Sequence, residues 1–211
     1  MKTQLIPLML FCSGLTLVAA GKKSTTAHGL READSVVWAG LDYSMVRMYG
    51  TRDFYETNKI FPEMFDRWNV MCVRERWSER VGMILGKRVI VDIGGMTEQN
   101  KLAKSDQVIR EDGTGKLLAA THITDADVAN AVRSCQLTEK SGLGLVFIVD
   151  RLVKRAQKGC LYIVFFDVES RKVLASRRGT YRAHGGGFRN YWFRPVKEAI
   201  RDVKKVIKEA K

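Results

Sequence analysis

Residues 144–183 read "GLVFIVDRLVKRAQKGCLYIVFFDVESRKVLASRRGTYRA", and the fold turns on this stretch. Three strand-like runs, "GLVFIVDRLV", "CLYIVFFDV" and "KVLASRRGTYRA", are joined only by "KRAQKG" and "ESR". Connections that short force consecutive strands to run antiparallel. An antiparallel three-stranded meander is expected here.

Beyond the meander comes "HGGGFRNYWFRP", residues 184–195. A histidine followed by three glycines is also the oxyanion loop of lipases and esterases. That chemistry needs a nucleophile elbow of the form G-x-S-x-G, and none occurs in the chain. The segment reads instead as hinge and anchor. Gly185, Gly186 and Gly187 permit unusual backbone angles, Phe188, Tyr191, Trp192 and Phe193 pin the chain, and Pro195 starts the last helix. In that helix Val196, Ala199, Ile200, Val203, Ile207 and Ala210 form one apolar stripe.

Upstream, "SVVWAGLDYSMVRMYG" alternates as a strand with Val37, Ala39, Leu41, Tyr43 and Met45 on one face. From Ile60 to Leu85 the apolar spacing predicts one long helix through Phe61, Met64, Phe65, Trp68, Cys72, Trp77, Val81 and Ile84, with Pro62 in its first turn and Gly86 at its end. "KRVIVDIGG" reads as a short buried strand. Residues 96–122 are irregular, with a small hairpin turning at Asp112-Gly113. A second helix starts at Thr124, with Asp127 at the reciprocal position of a capping box and Val128, Ala131, Val132 and Cys135 on one face. The order strand, helix, strand, helix, three strands, helix points to an α+β fold. The expectation is a two-layer sandwich, its mixed and mostly antiparallel sheet carrying about three helices on one face.

The amino terminus differs from the rest. Lys2 precedes an apolar run from Leu5 to Ala20 that ends in small residues before Gly21. This is the pattern of a secretory signal peptide, and the run is shorter than the ~20 residues that span a bilayer. The expected organisation is a signal peptide at 1–20, a flexible leader at 21–34 and one α+β domain at 35–211. The mature protein is expected in the periplasm or outside the cell, with no membrane span.

Cleavage would leave three cysteines, Cys72, Cys135 and Cys160. Their odd number and long spacing leave at least one thiol outside any internal disulfide. Each sits among apolar residues, where a buried small hydrophobe is its commoner role. The formal charge of +13 over 211 residues attracts polyanions but does not locate a site.

Other chemistries fail at specific positions. "REDGTGKL" lacks the P-loop glycine at Arg110 and the hydroxyl at Leu117, and "GLGLVF" lacks its third glycine at Phe147. His28, His122 and His184 lie in separate loops with no second ligand at metal spacing. No metal, cofactor or catalytic residue is assigned. Asp42, Asp92, Asp150 and Asp167 sit within or at the ends of strands, where turn formation and solvation explain most such residues. A basic and aromatic surface remains, with binding candidates Arg155, Arg171, Arg177, Arg178, Arg182, Arg189, Tyr191 and Trp192. Arginine beside aromatic rings can hold phosphates and stack on bases or sugars.

Residues 161–183, "LYIVFFDVESRKVLASRRGTYRA", followed by an amphipathic helix, resemble the closing section of bacterial envelope domains of the TolB amino-terminal and CsgG type, a group that includes lipoprotein activators of penicillin-binding proteins. Asp167, the turn at Ser170-Arg171 and Val173 take the places of that group's "D…G-x-V" motif, with Lys172 where glycine is common. The resemblance covers residues 143–211. It implies a non-enzymatic envelope module acting through a protein partner, and it carries over no catalytic residue. The alternative from charge alone is a binder of anionic glycan or nucleic acid.

Overall fold

The computed structural model describes residues 27–50, 54, 59–109 and 119–210. The expected signal peptide and the hairpin turn at residues 112–113 lie outside these. The strands are β1 (Ser35–Asp42), β2 (Arg47–Tyr49), β3 (Arg88–Val91), β4 (Val108–Ile109), β5 (Leu143–Val153), β6 (Lys158–Asp167) and β7 (Val173–Arg182). The α-helices are α1 (Ala27–Glu32), α2 (Phe65–Arg74), α3 (Trp77–Leu85), α4 (Gly94–Asn100), α5 (Asp125–Ser134), α6 (Phe188–Ile200) and α7 (Val203–Glu209). Within the stretch expected as leader, α1 seats Leu30 in the core.

The sheet corrects the expected fold class. β1 pairs in parallel with β3 and β5, and β2 with β4 and β5. Among the described residues only β5–β6 and β6–β7 are antiparallel. The meander is therefore one flank of a largely parallel sheet, where a mostly antiparallel one had been expected. The connection from β1 to β3 carries α2 and α3, and that from β3 to β5 carries α4 and α5. Helical crossovers of that kind return the chain to the starting end of the sheet, which makes the strands parallel. The α-helices of the described residues also occupy both faces. One core joins Trp38, Leu145, Phe147, Ile163 and Phe165 to α2, α3, α6 and α7. A second, on the opposite face, joins Val37, Val146, Ile148, Val164 and Phe166 to α5. Every residue of β5 is consequently buried, as expected for a strand covered on both sides. The architecture is α/β with three layers, where two had been expected.

β1 departs from simple alternation for a local reason. Its register shifts between Trp38 and Gly40, and Gly40 has φ +102, a conformation that suits glycine. One extra residue flips all later side chains. Val37 and Ala39 thus face α5, while Leu41 and Tyr43 join the other core.

The long helix expected over residues 60–85 is two helices. Phe61 precedes Pro62 and sits at φ −103, ψ 124, since the proline ring excludes the helical region for its predecessor. Arg76 at φ +59 separates α2 from α3, and Gly86 at φ +67 closes α3. The last helix begins at Phe188 and contains Pro195 rather than starting on it. Pro195 packs on β6 at Gly159, where a Cβ would come within 2.8 Å of its ring. β3, expected to be buried, is an edge strand with both ends exposed.

Candidate functional site

The polar groups of the interior concentrate in two places, both near the carboxyl ends of the parallel strands. The first is built on a bulge in β5, where the register against β6 shifts between Val149 and Arg151. The extra residue is Asp150, fully buried. Arg178 of β7 reaches its Oδ2 with Nε at 2.9 Å and a terminal nitrogen at 2.7 Å. Arg151 Nε donates to the same oxygen at 3.0 Å. His122 Nδ1 lies 3.1 Å from Oδ1, and His122 Nε2 lies 2.7 Å from the Met45 carbonyl oxygen. The Tyr162 hydroxyl donates to the Ile123 carbonyl at 3.2 Å, which ties β6 to the same loop. Burial would raise the Asp150 carboxyl above the ordinary carboxylate range. Hydrogen bonds from His122, Arg151 and Arg178 outweigh burial and hold it below that range.

The loop carrying His122 leads directly into α5. Thr124 caps that helix, its hydroxyl accepting from the Asp127 amide at 3.2 Å while Asp127 Oδ2 accepts from the Thr124 amide at 2.8 Å. Thr124→Ala should cost about 1 kcal/mol, the usual worth of such a cap. Urea unfolding of the purified variant checks it, and His122 should loosen with it.

The second polar centre holds the exit of β1. Asn69 of α2 donates to the Leu41 carbonyl at 2.9 Å and accepts from the Leu41 amide at 2.7 Å. Asn100 of α4 donates to that carbonyl at 2.9 Å and accepts from the Tyr43 amide at 2.6 Å. Two side-chain amides thus replace the ladder partners that β1 loses as it ends. Asp42, fully buried, accepts from the Ser44 amide at 2.8 Å and from Gln99 at 2.9 Å. Burial pushes its carboxyl above the ordinary value, and these bonds offset only part of that. Asp92 is occupied elsewhere, its Oδ2 accepting from the amides of Thr138 at 2.6 Å and Glu139 at 2.9 Å. Asp42, Asp92 and Asp150 therefore end on three separate sets of partners. Asp167 accepts from the Ser170 amide at 2.8 Å and shapes the β6–β7 turn.

The basic residues singled out in the sequence are spread over several surfaces. Arg178 turns inward to Asp150, and Arg177 pairs with Glu209 of α7 at 2.6 Å. Arg171 stands in the β6–β7 turn at φ +57. Arg155 and Arg182 are exposed near the β5–β6 turn and the end of β7. Trp192 is buried and stacks on Phe54 at 5.4 Å, while Tyr191 carries Lys154 over its ring at 3.8 Å. Gly185 and Gly187 adopt φ +125 and +74 at the entry to α6. Cys72, Cys135 and Cys160 are all buried and free. Burial raises all three thiols, Cys135 to about 12.

Arg189 meets a different set of residues. The Trp68 indole donates to its carbonyl at 3.1 Å, which fixes the start of α6 against α2. Between the two helices runs a groove of about 700 Å³ lined by Arg67, Val70, Arg74 and Arg189 with Glu63, Asp66 and Glu75. Val70 is 44% exposed there. Asp66 Oδ1 is buried without a hydrogen-bond donor among the described residues, and burial raises its carboxyl, with Lys101 opposing. A second, more polar cavity of about 540 Å³ lies beside His122 and is lined by Met45, Arg47, Asp106, Gln107 and Asp127.

Asn69, Gln99 and Asn100 were not singled out from the sequence, nor were Asp66 and Val70, and His122 was weighed there only as a metal ligand. Two signals pointed toward some of them. Asp150-Arg151 interrupts an apolar strand with adjacent charges, which alternation cannot send to one solvent face. Asn69 falls on the apolar stripe of α2 between Phe65 and Cys72. Among the described residues no group of three or more histidine, cysteine or carboxylate side chains is arranged to hold a metal ion. No helix of these residues is long and apolar enough to cross a membrane.

The fold and its polar centres define a three-layer α/β protein with a buried ionic cluster in β5. No family model, curated protein or solved structure matches the chain.

Proposed function

We propose that this chain is an exported, non-enzymatic module that binds another protein of the cell envelope through the groove between α2 and the start of α6. The observation that carries this reading is the floor of that groove. It offers an exposed valine with Arg67, Arg74 and Arg189 around it, and Asp66, whose buried Oδ1 has no donor among the described residues, lines the same groove. A partner that brings an apolar side chain to Val70 and carboxylates to the surrounding arginines would complement this surface. Arginine is among the residues enriched at binding hot spots.

Two further points support the reading. The buried carboxylates Asp42, Asp92 and Asp150 are engaged in holding backbone and guanidinium groups, which favours a structural role for each. The amino-terminal pattern and the resemblance of residues 143–211 to envelope domains suggest where the partner resides. Changing Val70 to Glu, on an exposed helix position, should reduce partner binding at least tenfold, about 1.4 kcal/mol, with an unchanged melting temperature. Unchanged binding by this variant would remove the groove from the account.

Binding of an anionic polymer is the second reading, favoured by the net charge of +13 and by the exposed Arg155 and Arg182. Each phosphate neutralised would add about 0.7–0.9 to the slope of log affinity against log salt.

A further inference from the structure

The two flanks of the sheet are finished differently. β7 carries Arg177 and Arg182 facing outward, and charge of that kind discourages pairing with another chain. β3 is "RVIV", with a single charge at its start and no proline. It pairs only with β1 among the described residues. Val91 is 44% exposed, and Met83 on the adjoining helix α3 is 75% exposed. Between α3 and β3 lies a groove of about 410 Å³ lined by Gly82, Met83, Gly86 and Val89 together with the charged Glu79 and Lys87.

The backbone on this flank has a defined polarity. Arg88 donates to the Asp34 carbonyl and Asp92 to the Trp38 carbonyl, each at 3.0 Å. Residues of that parity face β1, so alternation turns the N–H and C=O groups of Val89 and Val91 toward the open edge. Consider a second copy running antiparallel about a two-fold axis at Ile90. Val89 of each chain then stands opposite Val91 of the other, and both valines present the main-chain groups that such a pair exchanges. Arg88 of each chain falls opposite Asp92 of the other, with Glu139 beside it because the Asp92 carboxylate holds the Glu139 amide. The edge is self-complementary in hydrogen bonding, in apolar surface and in charge.

We infer that β3 is an isologous dimer interface, through which two copies of this chain join their sheets into one continuous sheet. Met83 and Val91 of both copies are covered together on the α3 face. This interface is separate from the groove between α2 and α6 and does not depend on the function proposed for it.

The test is sedimentation equilibrium of the purified protein at tens of micromolar, together with amide hydrogen exchange. The expected mass is that of a dimer, and the amides of Val89 and Val91 should exchange more slowly as concentration rises. Val91→Lys and Met83→Glu alter exposed side chains and leave both cores intact. Each should weaken association at least tenfold, whereas Ser176→Lys on the opposite flank should leave it unchanged. A monomeric wild-type protein would overturn the inference. So would a dimer that survives Val91→Lys, or a wild-type dimer whose Val89 and Val91 amides exchange no more slowly as concentration rises.

Discussion

Asp150→Ala should lower stability to urea unfolding by about 3–5 kcal/mol, the range for breaking a buried ion pair by deleting one partner. The loss comes from what is left behind more than from what is removed. Arg151 is 2% exposed and Arg178 about one-fifth exposed at the side chain, so their guanidinium groups would stay out of water without the carboxylate they face. The Asp150→Ala, Arg178→Met double variant should therefore be more stable than the sum of its single changes implies, because it removes a charge together with its partner. The pH dependence has a fixed sign. Because the folded carboxyl lies below its unfolded value of about 3.9, its contribution is fully present above that value. It disappears as pH falls through the folded pKa. Wild type and Asp150→Ala should differ by a constant amount from neutral pH down to about pH 5 and converge in stronger acid. A difference that persists unchanged at pH 2 would mean that Asp150 acts through packing and not through its charge.

The second large effect is expected at Asn69. Asn69→Leu keeps the branched shape of the side chain but deprives the Leu41 amide of its acceptor. The Leu41 carbonyl keeps its bond from Asn100. The loss is therefore about 2–4 kcal/mol, from the bonds removed and one buried donor left unsatisfied. Asn69→Asp separates the two halves of the interaction. It retains an acceptor for the Leu41 amide and turns a second oxygen toward the Leu41 carbonyl, so it should destabilise more at pH 7 than in acid. Chemical denaturation at the two pH values measures this directly. Equal losses at both would show that only the Leu41 amide matters.

These two residues also show where sequence reading stops. Short connections identify β5, β6 and β7 because a short loop leaves the chain no other course, and the capping box at Thr124 is likewise a local device. The switch of faces at Gly40 is not local. It is held by Asn69, 28 positions away from Leu41, and by Asn100, 57 positions away from Tyr43. Without that clamp the sequence of β1 reads as plain alternation, which sends Leu41 and Tyr43 to the wrong core.

The parallel sheet was hidden by a related effect. β3 is four residues long and follows directly on α3. Its place beside β1 depends on the crossover helices and not on its own pattern. The break at Glu75 and Arg76 leaves the apolar spacing nearly undisturbed, so two helices imitate one. Asp150 was visible as an oddity in an apolar strand. Its partners Arg178 and His122 lie 28 positions from it, and only the bulge in β5 brings all three together.

The groove at Asp66 and Val70 had no sequence signal beyond one apolar residue on the polar face of α2, a common occurrence. It becomes notable only because α6 closes one side and Arg189 stands at its rim.

The central claim is that this protein acts by binding another protein. The most direct measurement is affinity capture from envelope extract on the immobilised chain from Gly21 onward, with matched washes at low and high salt and Val70→Glu in parallel. The account predicts one protein retained by wild type through the high-salt wash and absent from the Val70→Glu column. Retention of nucleic acid or anionic glycan alone, released by high salt and equal on both columns, would contradict it.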